Sequence, residues 1–207
     1  MNKTPSHSLH GAVVNIVPEL KAGQKGVLSL KPIIFVFGPS GVGKSYLSKE
    51  LEKNRFLYKA IDTDRRERTF KANGFPEEWD EDYRNAYFPR MVGILRNLLG
   101  DEHAGAIVSF PTLYVFTPEE LAEAAQIGVT PLVLWGKYEN CVRAAKNRIE
   151  KKGKKFNLPR YEKLNRRTFH AYVYPEYDAF RVEAFQEDGL RYPDEEWLAQ
   201  IMGRTAR

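Results

Sequence analysis

The stretch FVFGPSGVGKSYL, Phe35 to Leu47, constrains this chain more than any other. An apolar run from Ile33 to Phe37 reads as a buried strand that stops at a glycine, and Lys44 to Lys53 reads as a helix. Between them Gly38, Gly43, Lys44 and Ser45 fit the spacing G-x-x-x-x-G-K-[ST], in the strand, turn and helix context that gives the pattern meaning. Glycines let a backbone wrap an oxyanion with its N–H groups pointing inward. The helix that follows adds the positive end of its dipole. A lysine at this spacing reaches the β- and γ-phosphates of a nucleotide, and the serine hydroxyl ligates Mg²⁺. The expected nucleotide site is therefore Gly38, Pro39, Ser40, Gly41, Val42, Gly43, Lys44, Ser45 and Tyr46, with Lys44 also catalytic and Ser45 a metal ligand. A ligand-free glycine turn is the alternative, and the flanking strand and helix speak against it.

Strand-like and helix-like segments alternate along the rest of the chain, the pattern of a parallel sheet covered on both faces. FLYKAID (56–62), AGAIVSF (104–110), VTPLVLWG (129–136) and AFRVEAF (179–185) read as further strands. Helical patterns run through a polar region from about 65 to 99, after Thr117-Pro-Glu-Glu, from Glu139 to about Lys151, and over DEEWLAQIMG (194–203). At 207 residues this is expected to be one domain, 31–207, preceded by an extension over 1–30 that forms an edge hairpin or is partly disordered.

No stretch is apolar for long enough to span a bilayer and the N-terminus lacks a leader-like apolar core, so a cytoplasmic protein is expected. The single cysteine, Cys141, has no disulfide partner and reads as a small buried helix residue. His103 and His170 have no partners at metal-ligand spacing. The net charge of +5 suits an anionic ligand. The cations crowd between Arg143 and Arg167, which reads as a solvated helix face, a phosphate-handling lid at about 143–170, or a nucleic-acid patch.

The second strand ends in AIDTDRRERTF, which puts Asp62 and Asp64 at the carboxyl edge of the sheet. Two carboxylates beside a lysine and Mg²⁺ suit transfer to a hydroxyl, one holding the metal's water shell and the other taking the proton of the attacking group. Arg65, Arg66 and Arg68 offer bidentate forks to an anionic acceptor. A helix cap with surface arginines is the plainer reading. In FPEEWDEDYRNAYFPR, residues Trp79, Tyr83, Tyr87 and Arg90 either shape an acceptor pocket or serve as core and cover. Arg143 and Arg148, five apart on a helix, do not share a face well, and one of them at most is expected to point at the phosphates. Arg160, Arg166 and Arg167 are later candidates. YPEYDAF (174–180) reads as a structural turn or a contact for the adenine base.

GPSGVGKSYL, followed by a strand ending in DTD, resembles the shikimate kinase and gluconate kinase branch of the small P-loop kinases, over roughly Ile33 to Phe185. The resemblance also takes in PLVLWG, a helix with Arg143 and Arg148, and a basic segment after it. It implies an α/β P-loop NTPase three-layer sandwich with a five-stranded parallel sheet and a helical lid. It further implies ATP and Mg²⁺ as cofactors, Asp64 as acceptor contact and base, Asp62 in the metal's outer shell, and a lid arginine, taken as Arg143, closing on the transferring phosphate. Where shikimate kinases carry a glycine-rich stretch after the third strand this chain reads VSFPTLYVF, and Ser109 roughly matches a serine of the gluconate kinases. GAIVSF carries no Walker-B acid, which argues against a motor ATPase or switch GTPase.

The expected activity is an ATP- and Mg²⁺-dependent phosphotransferase acting on a hydroxyl of a small anionic metabolite, with Asp64, Arg65, Arg68 and Arg90 on the acceptor. The expected assembly is a monomer or homodimer. A nucleoside, nucleotide or nucleic-acid end kinase, and a nucleotide-binding regulatory module with little turnover, are the competing readings.

Overall fold

The computed structural model describes residues 31–53, 57–62, 84–110, 112–113 and 115–205. Five strands, β1 (Ile33–Phe37), β2 (Tyr58–Asp62), β3 (Gly105–Ser109), β4 (Val129–Trp135) and β5 (Arg181–Glu183), form one sheet. The order is β2-β3-β1-β4-β5 and every pairing is parallel. The connections are made by α1 (Lys44–Glu52), α2 (Arg84–Leu98), α3 (Pro118–Gln126), α4 (Tyr138–Glu150) and α5 (Leu158–Ala171), and α6 (Asp194–Thr205) follows the last strand. This is the expected three-layer α/β arrangement.

The period-2 alternation of a strand sends β1 to both faces at once, and all five of its residues are buried. Ile33, Phe35 and Phe37 pack with Phe88, Met91 and Leu95 of α2 and Leu121 and Ala124 of α3. Ile34 and Val36 pack with Leu47 and Leu51 of α1, Cys141 of α4, and Trp197 and Ile201 of α6. Phe37, Phe110 and Phe116 form an aromatic group on the first face, with the Phe37 and Phe110 rings stacked at 4.7 Å and Phe116 5.0 Å from Phe37.

Local rules set the element ends. Thr117 caps α3 in a reciprocal box with Glu120, and Pro118 occupies the first helical position. Asn157 caps α5 by accepting from the Arg160 N–H at 2.9 Å. The fifth strand is shorter than its apolar pattern predicts. A 3₁₀ turn at Pro175–Tyr177 precedes it, and Phe185 leaves the ladder for an antiparallel bridge with Arg191.

Pro131 sits inside β4, opposite Phe35 on the β1 side, and is buried. The Val133 N–H points the other way, to Phe180 O, and β5 begins only opposite Val133. By the alternation, a donor at 131 would face the β5 side before that strand starts. Proline has no donor there and costs the ladder nothing.

The sheet order reverses direction about β1, because the chain runs from β1 toward β2 and from β3 back across to β4. The glycine loop leaves β1 at this switch point, on the carboxyl edge, where α/β sheets open a crevice.

Candidate active site

Residues 38–43 link β1 to α1, and Gly38, Gly41 and Gly43 have φ of 132°, 90° and 116°. Gly41 is also sterically required: a Cβ there would lie 2.3 Å from Cys141 O and 3.1 Å from Ala145 N, because α4 packs directly on the loop.

Three consecutive loop carbonyls are held by side chains from distant parts of the chain. Tyr161 OH donates to Ser40 O at 2.8 Å, and the Arg191 fork donates to Gly41 O at 2.7 Å and Val42 O at 3.0 Å. In a trans peptide the N–H points opposite to the carbonyl, so these bonds turn the N–H groups of Gly41, Val42 and Gly43 to the other side of the backbone, where that of Val42 donates to Pro39 O at 3.5 Å. That is the polarity of an anion nest. Arg191 is braced over the Phe185 ring at 4.9 Å, and burial lowers its pKa from the usual arginine value. Burial also raises the pKa of Tyr161, which keeps its hydroxyl a donor.

Lys44 is only 8% exposed. Its Nζ donates to Gly38 O at 2.6 Å, Pro39 O at 3.1 Å and Thr112 Oγ1 at 3.2 Å. Thr112 Oγ1 is also 2.9 Å from Ser40 Oγ, and its carbonyl accepts from Thr168 of α5. Ser45 is half-buried at the start of α1, and Ser48 follows one turn later. The Ser48 hydroxyl meets that of Ser109 at 2.6 Å, tying α1 to the end of β3, the position where an acid would stand in a Walker-B strand. Asp62 ends β2 directly opposite Ser109 in the ladder.

A cleft of about 850 Å³ opens from the loop. Its cations are Lys44, Lys49, Arg143, Arg148, Lys151, Lys152 and Arg191, against the single carboxylate of Asp194, which accepts from Tyr46 OH at 2.5 Å and raises that phenol to about 12. Phe185, Gly189 and Leu190 form an opposing wall. Arg143 spans the cleft edge, donating to Asn140 Oδ1 at 3.1 Å and to Gly189 O.

The structure brings Pro39, Ser40, Gly41, Gly43, Lys44, Ser45, Tyr46 and Arg143 to one cleft, whereas Gly38 does not line it and Val42 is buried in the core with Leu47 and Leu51. Arg143 and Arg148 both line it. Arg90 is exposed on α2 and does not line it, and Arg160, Arg166 and Arg167 lie on the exposed side of α5. The 174–180 segment is a structural turn: Tyr177 is buried against the other face of the sheet, with its hydroxyl on Phe116 O at 2.9 Å. Asp64, Arg65, Arg68, Trp79 and Tyr83 lie outside the described residues, as does the 1–30 extension.

Sequence reading missed Thr112, Tyr161, Asn165 and Arg191. Among the described residues no group of three His, Cys, Asp or Glu side chains is placed to hold a metal ion, and no helix is long and apolar enough to cross a membrane.

No protein-family model matches the chain, and a comparison with curated proteins gives no match. Solved structures do match. A gluconokinase from Sinorhizobium meliloti 1021 is 20% identical, with a TM-score of 0.51 over 86% of this chain and 93% of that one. A shikimate kinase from Aquifex aeolicus vf5 is 18% identical, with a TM-score of 0.44 over 84% and 96%. A tunicamycin resistance protein from Deinococcus radiodurans is 17% identical, with a TM-score of 0.46 over 83% and 95%. At these identities the likeness is one of fold alone, and it rests on the gluconokinase, whose TM-score exceeds 0.5.

Proposed function

We propose that this protein is an ATP- and Mg²⁺-dependent phosphotransferase acting on a hydroxyl of a small, anionic metabolite. The observation that carries the reading is the Lys44 ammonium, held on the carbonyls of Gly38 and Pro39 inside a loop whose next three carbonyls are tied back by Tyr161 and Arg191. An ammonium has three donors. Two of the described bonds are to loop carbonyls, and the longer one to Thr112 is a bond that a phosphate oxygen would replace. A preorganised cation and inward N–H groups stabilise charge on a transferring phosphoryl group without reorganisation during the reaction.

In the reaction the acceptor hydroxyl oxygen bonds to the γ-phosphorus, the bond from that phosphorus to the β–γ bridging oxygen breaks, and ADP leaves with the electron pair. Asp64 takes the hydroxyl proton, and Arg65 and Arg68 hold the acceptor's negative charge. The donor set of the Ser45 hydroxyl and the Asp62 carboxylate is all oxygen, which suits Mg²⁺, an ion that keeps several waters and takes few protein ligands. Bound there, Mg²⁺ would neutralise phosphate charge. Arg143 and Arg148 face the nucleotide across the cleft. Segment 143–170 is the lid, and its moving part is the exposed stretch 151–157, because Cys141 and Ala145 fix α4 and Tyr161, Asn165 and Thr168 fix α5.

The test is an ADP-release screen with Mg-ATP and a panel of sugar acids, hydroxy acids, nucleosides and short oligonucleotides, run on the wild type, Lys44→Ala and Asp64→Asn. A compound that stimulates the wild type at least 100-fold over either variant supports the reading. Nucleotide binding with no stimulation by any compound supports a nucleotide-regulated binding protein.

One observation favours a second reading. Lys49, Lys151 and Lys152 add cations at the cleft rim beyond those around the loop, as a nucleic-acid end kinase would need. Such an acceptor would bind with a steep salt dependence.

A further inference from the structure

The Pro39–Ser40 peptide unit of the glycine loop has the reverse polarity of the three units that follow it. Ser40, Gly41 and Val42 present carbonyls to side chains outside the loop, whereas in the Pro39–Ser40 unit it is the N–H that is held, by Asn165 Oδ1 of α5 at 2.6 Å. The carbonyl of that same unit, Pro39 O, accepts from Lys44 Nζ at 3.1 Å and from the Val42 N–H at 3.5 Å. The described backbone contains no cis peptide, so N–H and C=O of this unit point in opposite directions. Asn165 on one side therefore aims the carbonyl at Lys44 on the other.

The Asn165 side chain is built for this. It is 1% exposed, and its Nδ2 donates to Tyr161 O at 2.7 Å, which identifies Oδ1 as the atom turned to Ser40. Its neighbour one turn earlier, Tyr161, fixes the next peptide unit through Ser40 O. An apolar residue at 165 would remove the acceptor of the part-buried Ser40 N–H, and the unit would turn to find another.

We propose that Asn165 is a positioning residue for Lys44, acting through the Pro39–Ser40 peptide, so that the affinity for a nucleotide triphosphate depends on a side chain of α5 that lines no part of the cleft. This rests on the phosphotransferase reading above, in which Lys44 engages the phosphates. Two loop carbonyls are among the groups that hold the ammonium, and Asn165 sets one of the two.

The experiment is a double-mutant cycle in Mg-ATP affinity, measured by calorimetry on the full chain for the wild type, Asn165→Ala, Lys44→Ala and the double variant, with thermal unfolding of each. Asn165→Ala is expected to weaken Mg-ATP about tenfold, the size of one charge-assisted hydrogen bond. In the Lys44→Ala background the same change is expected to cost less than about twofold, because the group it positions is gone. Equal losses in both backgrounds overturn the proposal and leave Asn165 a structural residue. If Asn165→Ala unfolds more than about 10 °C early, Asn165→Ser, which leaves a polar group and a smaller gap, runs in the same cycle with the same decision. A wild type that binds no Mg-ATP overturns the phosphotransferase reading and this inference with it, whereas an additive cycle on a wild type that binds overturns this inference alone.

Discussion

Arg191 donates to the carbonyl of Gly41 at 2.7 Å across 150 residues of sequence. The loop that follows β1 is thus shaped by a residue that follows β5. Loop geometry becomes a tertiary property, although its glycines are local.

Replacing Arg191 tests this directly. Arg191→Ala releases Gly41 O and Val42 O together, and we expect Mg-ATP affinity to fall at least tenfold by calorimetry. Arg191→Lys should recover little of it, since a point ammonium cannot span two carbonyls as the guanidinium fork does. Full recovery by lysine would show that only the positive charge matters.

Gly41→Ala places a Cβ against Cys141 O at a positive φ. The residue has no room and a disfavoured backbone, so we expect about 2 kcal/mol or more of lost stability, a melting point about 4–8 °C lower, and loss of Mg-ATP binding. A variant with wild-type melting and affinity would contradict the packing of α4 on the loop.

Thr117→Ala removes the cap of α3, far along the chain from the loop. It is expected to cost about 1 kcal/mol, or roughly 2–4 °C in melting temperature, and to leave nucleotide affinity within twofold. A change in affinity larger than that would tie α3 to the site.

Cys141 is fully buried, its Sγ is 3.6 Å from Gly136 O, and desolvation pushes the thiol up to about 12. The thiolate form is therefore scarce at neutral pH, and access is closed as well. We expect a disulfide reagent to leave the native protein unmodified between pH 7 and 9 over an hour, and to titrate one thiol once the chain is unfolded. Rapid native reaction at pH 7 would refute the burial.

The parts of the fold that were legible were those written locally. β1 is continuous apolar sequence bounded by Gly38, and α3 announces itself through Thr117, Pro118 and Glu120. The loop spacing and Lys44 were readable for the same reason. What escaped were residues whose role depends on who meets them in space. Asn165 sits in a run of cations and looks like one more polar helix residue, yet its position on α5 is the buried one of Tyr161, Asn165 and Thr168, spaced at i, i+4 and i+7. That spacing was a usable signal, and the surrounding charge obscured it. Arg191 carries no local signature at all. β5 was drawn too long because apolar pattern does not register where a neighbouring strand ends.

Pro131 makes that end definite. Only Val133, Leu134 and Trp135 of β4 have a partner in β5, and sliding β5 two residues toward the start of β4 would ask a proline to donate a ladder bond. The proline thus works as a ruler for the last strand to join the sheet, leaving it one alignment in the direction where error is possible. Phe185 and the turn to Arg191 follow that strand directly, so a residue in the middle of β4 measures out where the guanidinium arrives on the loop.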